Sequence, residues 1–212
     1  ALPLGLSEDA RAVWPRADNS GHSLPARGGP LLPFYLQPLT PREHYFSEPY
    51  FVLDFETTNL EFGDSRNPKN RIVMAAYARE GHGAQLAERQ ERLPLPPRGI
   101  LVAHNAKFDM AFLAKEGISF GCKIHDTEVV ARILDNQQMR YSLDACCERD
   151  LGERKDDRVM EYIEKYGLYT LHTPPGKDKP EKFLRFDEVP FKLITEYACK
   201  DARLTHRLGM YQ

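Results

Sequence analysis

One apolar run that breaks into acids constrains this chain more than any other stretch. Tyr50-Phe51-Val52-Leu53-Asp54-Phe55-Glu56 is short and almost wholly apolar until its end, which suits a buried strand. Successive side chains of a strand point to opposite faces, so Asp54 and Glu56 project side by side. Two neighbouring carboxylates repel and raise each other's pKa unless something positive sits between them. Hard divalent cations such as Mg²⁺ or Mn²⁺ take oxygen ligands of this kind. Taken alone the spacing is weak, since one acid of such a pair often caps a loop or meets an arginine.

Upstream of that strand the chain has a different character. Residues 1–49 hold half of the sixteen prolines, with breaker clusters at Ala26-Arg27-Gly28-Gly29-Pro30 and Gln37-Pro38-Leu39-Thr40-Pro41. Proline withholds the backbone donors that helices and central strands need. We read this stretch as a proline-rich surface arm or a linker from a preceding domain, with Trp14, Phe34, Tyr35 and Leu36 available to dock; a disordered tail is the alternative.

Residues 50–212 read as the working domain. Arg71–Ala78 and Ile100–His104 are further strand candidates. A helix is expected over 107–116, with Phe108, Ala111 and Phe112 on one face and Gly117 closing it. Helical patterns follow at 126–134, 142–150 and 156–166, then a polar, proline-rich loop at 171–183. The last helix begins near Pro190, a good first-turn residue, and runs through Tyr197 and Asp201 to about Leu208. Strands first and helices after imply an α/β fold, a mixed central sheet flanked by helices.

Composition excludes several classes. At 212 residues, 42% apolar and 28% charged, the chain is an ordinary globular one with no run of eighteen apolar residues and no secretory start. No membrane role is expected. Cys122, Cys146, Cys147 and Cys199 contain no C-x-x-C pair, which argues against a zinc cage or disulfide framework and for a reducing compartment. The net charge of −2 is not that of a protein clamping long duplex DNA. It does not count against an enzyme that handles a few terminal nucleotides through bound cations, whose charge formal counting misses.

Two more motifs follow the first. Asn105-Ala106-Lys107-Phe108-Asp109 places a carboxylate in the first turns of a helix, where the dipole alone would favour it. Tyr197-Ala198-Cys199-Lys200-Asp201 places Tyr197 and Asp201 on one helical face. Each is common alone. In this order, DFET, NAKFD and YACKD resemble the three motifs of the DEDD superfamily of 3′→5′ exonucleases, and most closely the proofreading domain of family A DNA polymerases, bacterial or phage. The resemblance runs from about residue 50 to the end, with echoes at Asp126-Thr127 and Tyr141-Ser142-Leu143-Asp144. The last motif has Tyr197 four residues before Asp201 and Glu196 where the histidine subclass has its histidine. His206 lies on the wrong side of Asp201. The tyrosine subclass is implied.

That resemblance implies an RNase H-like fold and a hydrolase that releases nucleoside 5′-monophosphates from a 3′ end with two divalent cations, Mg²⁺ or Mn²⁺. Asp54, Glu56 and Asp201 would hold the cation on the nucleophile's side. Asp54 would bridge to the second, with Asp109 helping through its water shell. Tyr197 would orient the attacking water, a duty suited to a neutral phenol. Thr57 would contact the terminal nucleotide, Leu60 would wedge between the last two bases, and Asn105 would hold the strand. Phe108 is a further substrate contact or a packing residue. Lys107 and Arg140 would touch phosphate or stand in solvent. The implied substrate is the 3′ end of single-stranded or frayed DNA, and the implied partners are a polymerase domain or replication proteins. The implied setting is the cytoplasm of a bacterium or phage-infected cell, or an organelle. A free-standing exoribonuclease like RNase D and a catalytically dead binding module are the competing readings.

Overall fold

The structure is a computed structural model, and it describes residues 48–79, 82–86, 93, 95, 97–174 and 176–212. The arm read over residues 1–49, with Trp14, Phe34, Tyr35 and Leu36, lies outside these apart from Glu48 and Pro49. The apolar run is strand β1, Tyr50–Thr57, in the middle of a five-stranded sheet of order β3-β2-β1-β4-β5. It pairs antiparallel with β2 (Ile72–Arg79) and parallel with β4 (Ile100–Ala103). Beyond β2 lies β3 (Gln85–Leu86), and beyond β4 the parallel strand β5 (Lys123–Asp126). The sheet is therefore mixed, as expected. A central strand is covered on both faces, which is why β1 is apolar at nearly every position rather than at alternate ones.

The two faces of β1 feed two cores. Phe51, Leu53 and Phe55 pack with Leu101, Phe112 and Leu113, the last two from helix α1, Ala106–Lys115. Tyr50 and Val52 pack on the other side with Tyr197, Ala198 and Ala202 of helix α5, Phe191–Tyr211. Complete burial of a side chain such as Leu53 contributes roughly 1.5–3 kcal/mol. Small residues let α5 lie close to the sheet. A β-carbon at Gly209 would stand 3.2 Å from Val102 Cγ1, a tight contact that the valine side chain would have to yield to.

Helices α2 (Thr127–Leu134) and α3 (Leu143–Leu151) close over the far side of α5, through Ala131, Leu143, Cys146 and Cys147 against Leu204 and Leu208. Asp126 caps α2, its carboxylate accepting from Glu128 N at 3.0 Å, and Ser142 caps α3. Helix α4 (Arg158–Tyr166) follows. None of the four cysteines forms a disulfide, and no described helix is long and apolar enough to cross a membrane.

Four strands depart from the sequence reading. Residues 171–183, expected as a loop, contain most of a hairpin: β6 (Tyr169–His172) pairs antiparallel with β7 (Glu181–Leu184), leaving only the proline-rich tip irregular. Both strands are only four residues long and none of their side chains is fully buried, so they carry no clear alternating pattern. The edge strands β3 and β5 are too short to show a period, and β5 is set by its partner β4.

α5 is buried on nearly every side, so it carries polar side chains into the interior. His206 Nε2 lies 3.0 Å from Tyr50 Oη, the two rings stack at 5.2 Å, and Nδ1 has no hydrogen-bond partner. Burial, and behind it the Arg203 charge, pushes the imidazole down to about 3. The unfolded chain then takes up this proton near 6.5 and the folded chain does not, so stability is lost as pH falls from 6.5 towards 3. Between pH 6.5 and 4.5 this single group removes about 2–3 kcal/mol. His206→Phe keeps the stack and should lose that dependence. Denaturant titrations of both proteins in EDTA at the two pH values measure it, and a difference that stays constant with pH would refute the assignment.

Candidate active site

The alternation of β1 that sends Phe51, Leu53 and Phe55 towards α1 sends Asp54 and Glu56 towards α5. Helix α5 presents Tyr197 and Asp201, one turn apart, to the same place. One oxygen each from Asp54, Glu56 and Asp201 lies within 4.8 Å of the others. Glu56 and Asp201 are buried, and Asp54 is half-buried at the edge of a cleft of about 450 Å³. That cleft is also lined by His104, Asn105, Arg132, Tyr141 and Lys155.

Asp109 is buried in the first turn of α1 and is not among those three. Its Oδ1 accepts a hydrogen bond from Phe55 N at 3.1 Å, which ties α1 to the stretch of β1 between Asp54 and Glu56.

The four acids are held far from their solution behaviour. Burial, then the Asp201 charge, lifts the Asp54 carboxyl to about 7. Burial, then Asp54 and Asp201, lifts Glu56 well above the usual range, and burial, then Asp54, does the same for Asp109. Asp201 is raised less freely, because Lys155 opposes the burial. Asp54 Oδ2 and Asp201 Oδ1 are buried without any hydrogen-bond donor. Oxygens in that state are what a hard cation satisfies, so this donor set fits a divalent ion held by Asp54, Glu56 and Asp201.

Lys155 stands in the loop between α3 and α4. Its Nζ pairs with Asp201 Oδ2 and sits 4.9 Å from the centre of the Tyr197 ring. Burial pulls this ammonium down, but Asp201 and Tyr197 more than offset it, and the group stays charged. The Tyr197 phenol is raised by burial and by the Asp201 charge, so it is neutral at ordinary pH. Glu196 is turned to the surface and meets Arg158 at 3.0 Å, while His206 is engaged with Tyr50.

Asn105 has φ 60°, the only positive value at a non-glycine among the described residues. Such backbone persists only where neighbours hold it. Asp126 does so, accepting from Asn105 N at 3.0 Å and from Ala106 N at 2.9 Å. Asn105 therefore faces the cleft from a clamped junction of β4 and α1.

Thr57 is buried at the end of β1, where the register with β2 shifts. Leu60 is half-buried and opens a 3₁₀ turn, Leu60–Gly63. Asn70 pins that turn, accepting from Leu60 N and donating to Leu60 O, both at 2.8 Å. Phe108 is half-buried in the α1-side core, 5.1 Å from the Phe112 ring, and is not brought into the acid group. Lys107 and Arg140 are exposed.

Four residues that shape the site were not singled out for it from sequence. Lys155 sits in a run of mixed charge, Glu153-Arg154-Lys155-Asp156-Asp157, with nothing to separate it from a solvated face. Asp126 reads as a helix cap, which it is, and its second duty at Asn105 has no local signature. Asn70 reads as a turn residue. His104 bridges Thr127 Oγ1 and Tyr141 O, both at 2.9 Å; a carbonyl only accepts, so Nε2 donates and Nδ1 accepts from the hydroxyl.

Comparison with known proteins agrees with this geometry. Residues 43–211 match the family model described as 3′-5′ exonuclease, of the DNA polymerase A type. The chain is 23% identical over 180 residues to DNA polymerase I of Treponema pallidum (strain Nichols), covering 84% of this chain and 16% of that protein. It is 29% identical over 112 residues to DNA polymerase DpoZ of Salmonella phage PMBT28, covering 52% and 17%. It thus spans about a sixth of the length of these relatives. Among solved structures, Brucella melitensis NrnC superposes with TM-score 0.50 at 15% identity, over 81% of this chain and 75% of that one. A structure described as the apo form of the nuclease superposes with TM-score 0.51 at 13% identity, over 81% and 76%. These last two bear on the fold alone, which is RNase H-like. A family match running from residue 43 to residue 211 takes in all three acidic motifs, and on it the chain belongs to the 3′-5′ exonucleases of the DNA polymerase A type.

Proposed function

We propose that this chain removes nucleotides from the 3′ end of single-stranded or frayed DNA, releasing nucleoside 5′-monophosphates with the help of two divalent cations, Mg²⁺ or Mn²⁺. The observation that carries this reading is the convergence of Asp54, Glu56 and Asp201 within 4.8 Å, with two donorless oxygens, beside a neutral tyrosine. Bound cations of this kind activate a water and stabilise the leaving 3′-oxygen.

The rest falls to the chain's own groups. Asp54, Glu56 and Asp201 would hold the divalent cations, which would supply positive charge to the reacting phosphodiester. Asp109, with one oxygen committed to Phe55 N, would support that binding with its other oxygen. Tyr197 donates a hydrogen bond that aims the attacking water. Asn105, fixed in its left-handed conformation, holds the substrate strand. Thr57 meets the terminal nucleotide, and Leu60, on its pinned turn, separates the last two bases.

A narrow cleft that stacks bases reads any sequence, and a mispaired end reaches it at lower cost than a paired one. Two relatives that are DNA polymerases, each matched over about a sixth of its length, support a proofreading role beside a polymerase domain. The test compares mononucleotide release from 3′-ended single-stranded DNA, mispaired duplex DNA, paired duplex DNA and RNA. Release should vanish in EDTA, return with Mg²⁺ or Mn²⁺, and be faster from single-stranded and mispaired ends than from paired ones. Faster release from RNA would move the substrate class to RNA. No release from any of them would leave a binding module.

A further inference from the structure

Lys155 lines the cleft and has no part in the proposed chemistry. Its side chain retains only 23% of its exposure, and its ammonium contacts Asp201, a proposed ligand, and also the proposed water-orienting Tyr197. Its backbone is anchored as well, with Lys155 N donating to Asp144 Oδ1 at 3.2 Å. A lysine ammonium offers three donors and a full positive charge on a flexible stem. Here it sits on one oxygen of Asp201, while the other and Asp54 Oδ2 remain without donors. One positive charge thus stands against four buried or half-buried carboxylates.

We propose that Lys155 is a built-in competitor for the divalent cation. In the metal-free protein its ammonium takes the cation's place on Asp201 and holds the Tyr197 hydroxyl. A cation must lift it off Asp201 to bind, and in doing so releases Tyr197 towards the attacking water. The open side of the site is the cleft that Lys155 already lines, so the displaced ammonium has somewhere to go. Metal loading and the freeing of Tyr197 then become one event. The free enzyme tolerates the crowded acids without metal, at the expense of weaker metal binding.

This inference rests on the metal reading of the site, and its test uses binding rather than hydrolysis. Mn²⁺ binding to the wild type and to Lys155→Met, which keeps the stem and removes the charge, is followed by the electron paramagnetic resonance signal of free Mn²⁺. The variant should bind roughly tenfold to a hundredfold more tightly, because a like charge at contact distance and a competing ion pair are both gone. Equal affinity, or weaker binding by the variant, overturns the competitor role while leaving the metal site standing. Absence of Mn²⁺ binding in both proteins overturns both ideas. Should Lys155→Met not fold, the wild type still decides the matter through reductive methylation with ¹³C-formaldehyde. Lys155 should resist the reagent in EDTA and react in saturating Mg²⁺, and equal reactivity in the two would overturn the proposal.

Discussion

Asp54→Ala should reduce mononucleotide release to background, a loss of several kcal/mol in the transition state or roughly 10³–10⁵-fold. The same substitution should make the metal-free protein more stable. Asp54 is half-buried, and its carboxyl is lifted to about 7 by burial and by Asp201, so ionising it in the fold is unfavourable. The folded pKa lies above the unfolded 3.8; the penalty therefore grows from pH 3.8 upwards and is complete above 7. At pH 8 in EDTA the variant should gain about 2 kcal/mol over the wild type, shrinking to little near pH 4. In saturating Mg²⁺ the order should reverse, because only the wild type gains from binding. Denaturant titrations at both pH values, with and without Mg²⁺, check the stability claim. Undiminished cleavage by Asp54→Ala would sink the ligand assignment.

The second large effect separates Tyr197 from Asp201. Tyr197→Phe removes one oriented hydrogen bond and should slow release roughly tenfold to a thousandfold, keeping the metal requirement and the 3′→5′ direction. Asp201→Ala removes a ligand and should be clearly worse. The structure adds a distinction between the two acids that charge crowding alone would miss. Asp201 is paired with Lys155, so removing it leaves a largely buried ammonium without its main partner. Metal-free Asp201→Ala should lose about 1–3 kcal/mol where Asp54→Ala gains. Rates of both variants on one single strand, beside their unfolding curves in EDTA, test the two claims together. Equal and total loss of activity would mean that Tyr197 does more than orient water, and full activity in Tyr197→Phe would refute the tyrosine assignment.

Much of this site is legible in the chain because its spacings are local. Alternation along β1 places Asp54 and Glu56 on one face whatever lies beside them, and the helical repeat places Tyr197 and Asp201 on one face of α5. The apolar run, the helix breakers and the order of elements are also local properties, and with them came the mixed sheet with its helices. The hairpin β6–β7 is not legible in the sequence because its strands are four residues long and nowhere fully buried, so burial imposes no clear period on them. The edge strand β5 exists because β4 offers it a partner.

What only the tertiary structure decided is which long-range groups meet the local ones. No spacing relates Lys155 to Asp201, since the loop between α3 and α4 is carried there by the packing of α3 on α5. Likewise Asp126 reaches Asn105 only because β4 and β5 lie side by side, ending at the same level. The pKa displacements belong to this class too. A carboxylate's type and spacing are written in the sequence, but its loss of water and the charges around it exist only once sheet and helix have closed over it. Residues 50–57 and 197–201 by themselves determined which side chains would face the site; the packing of α5 on β1, with Lys155 between the acids and the cleft, decided how they are charged.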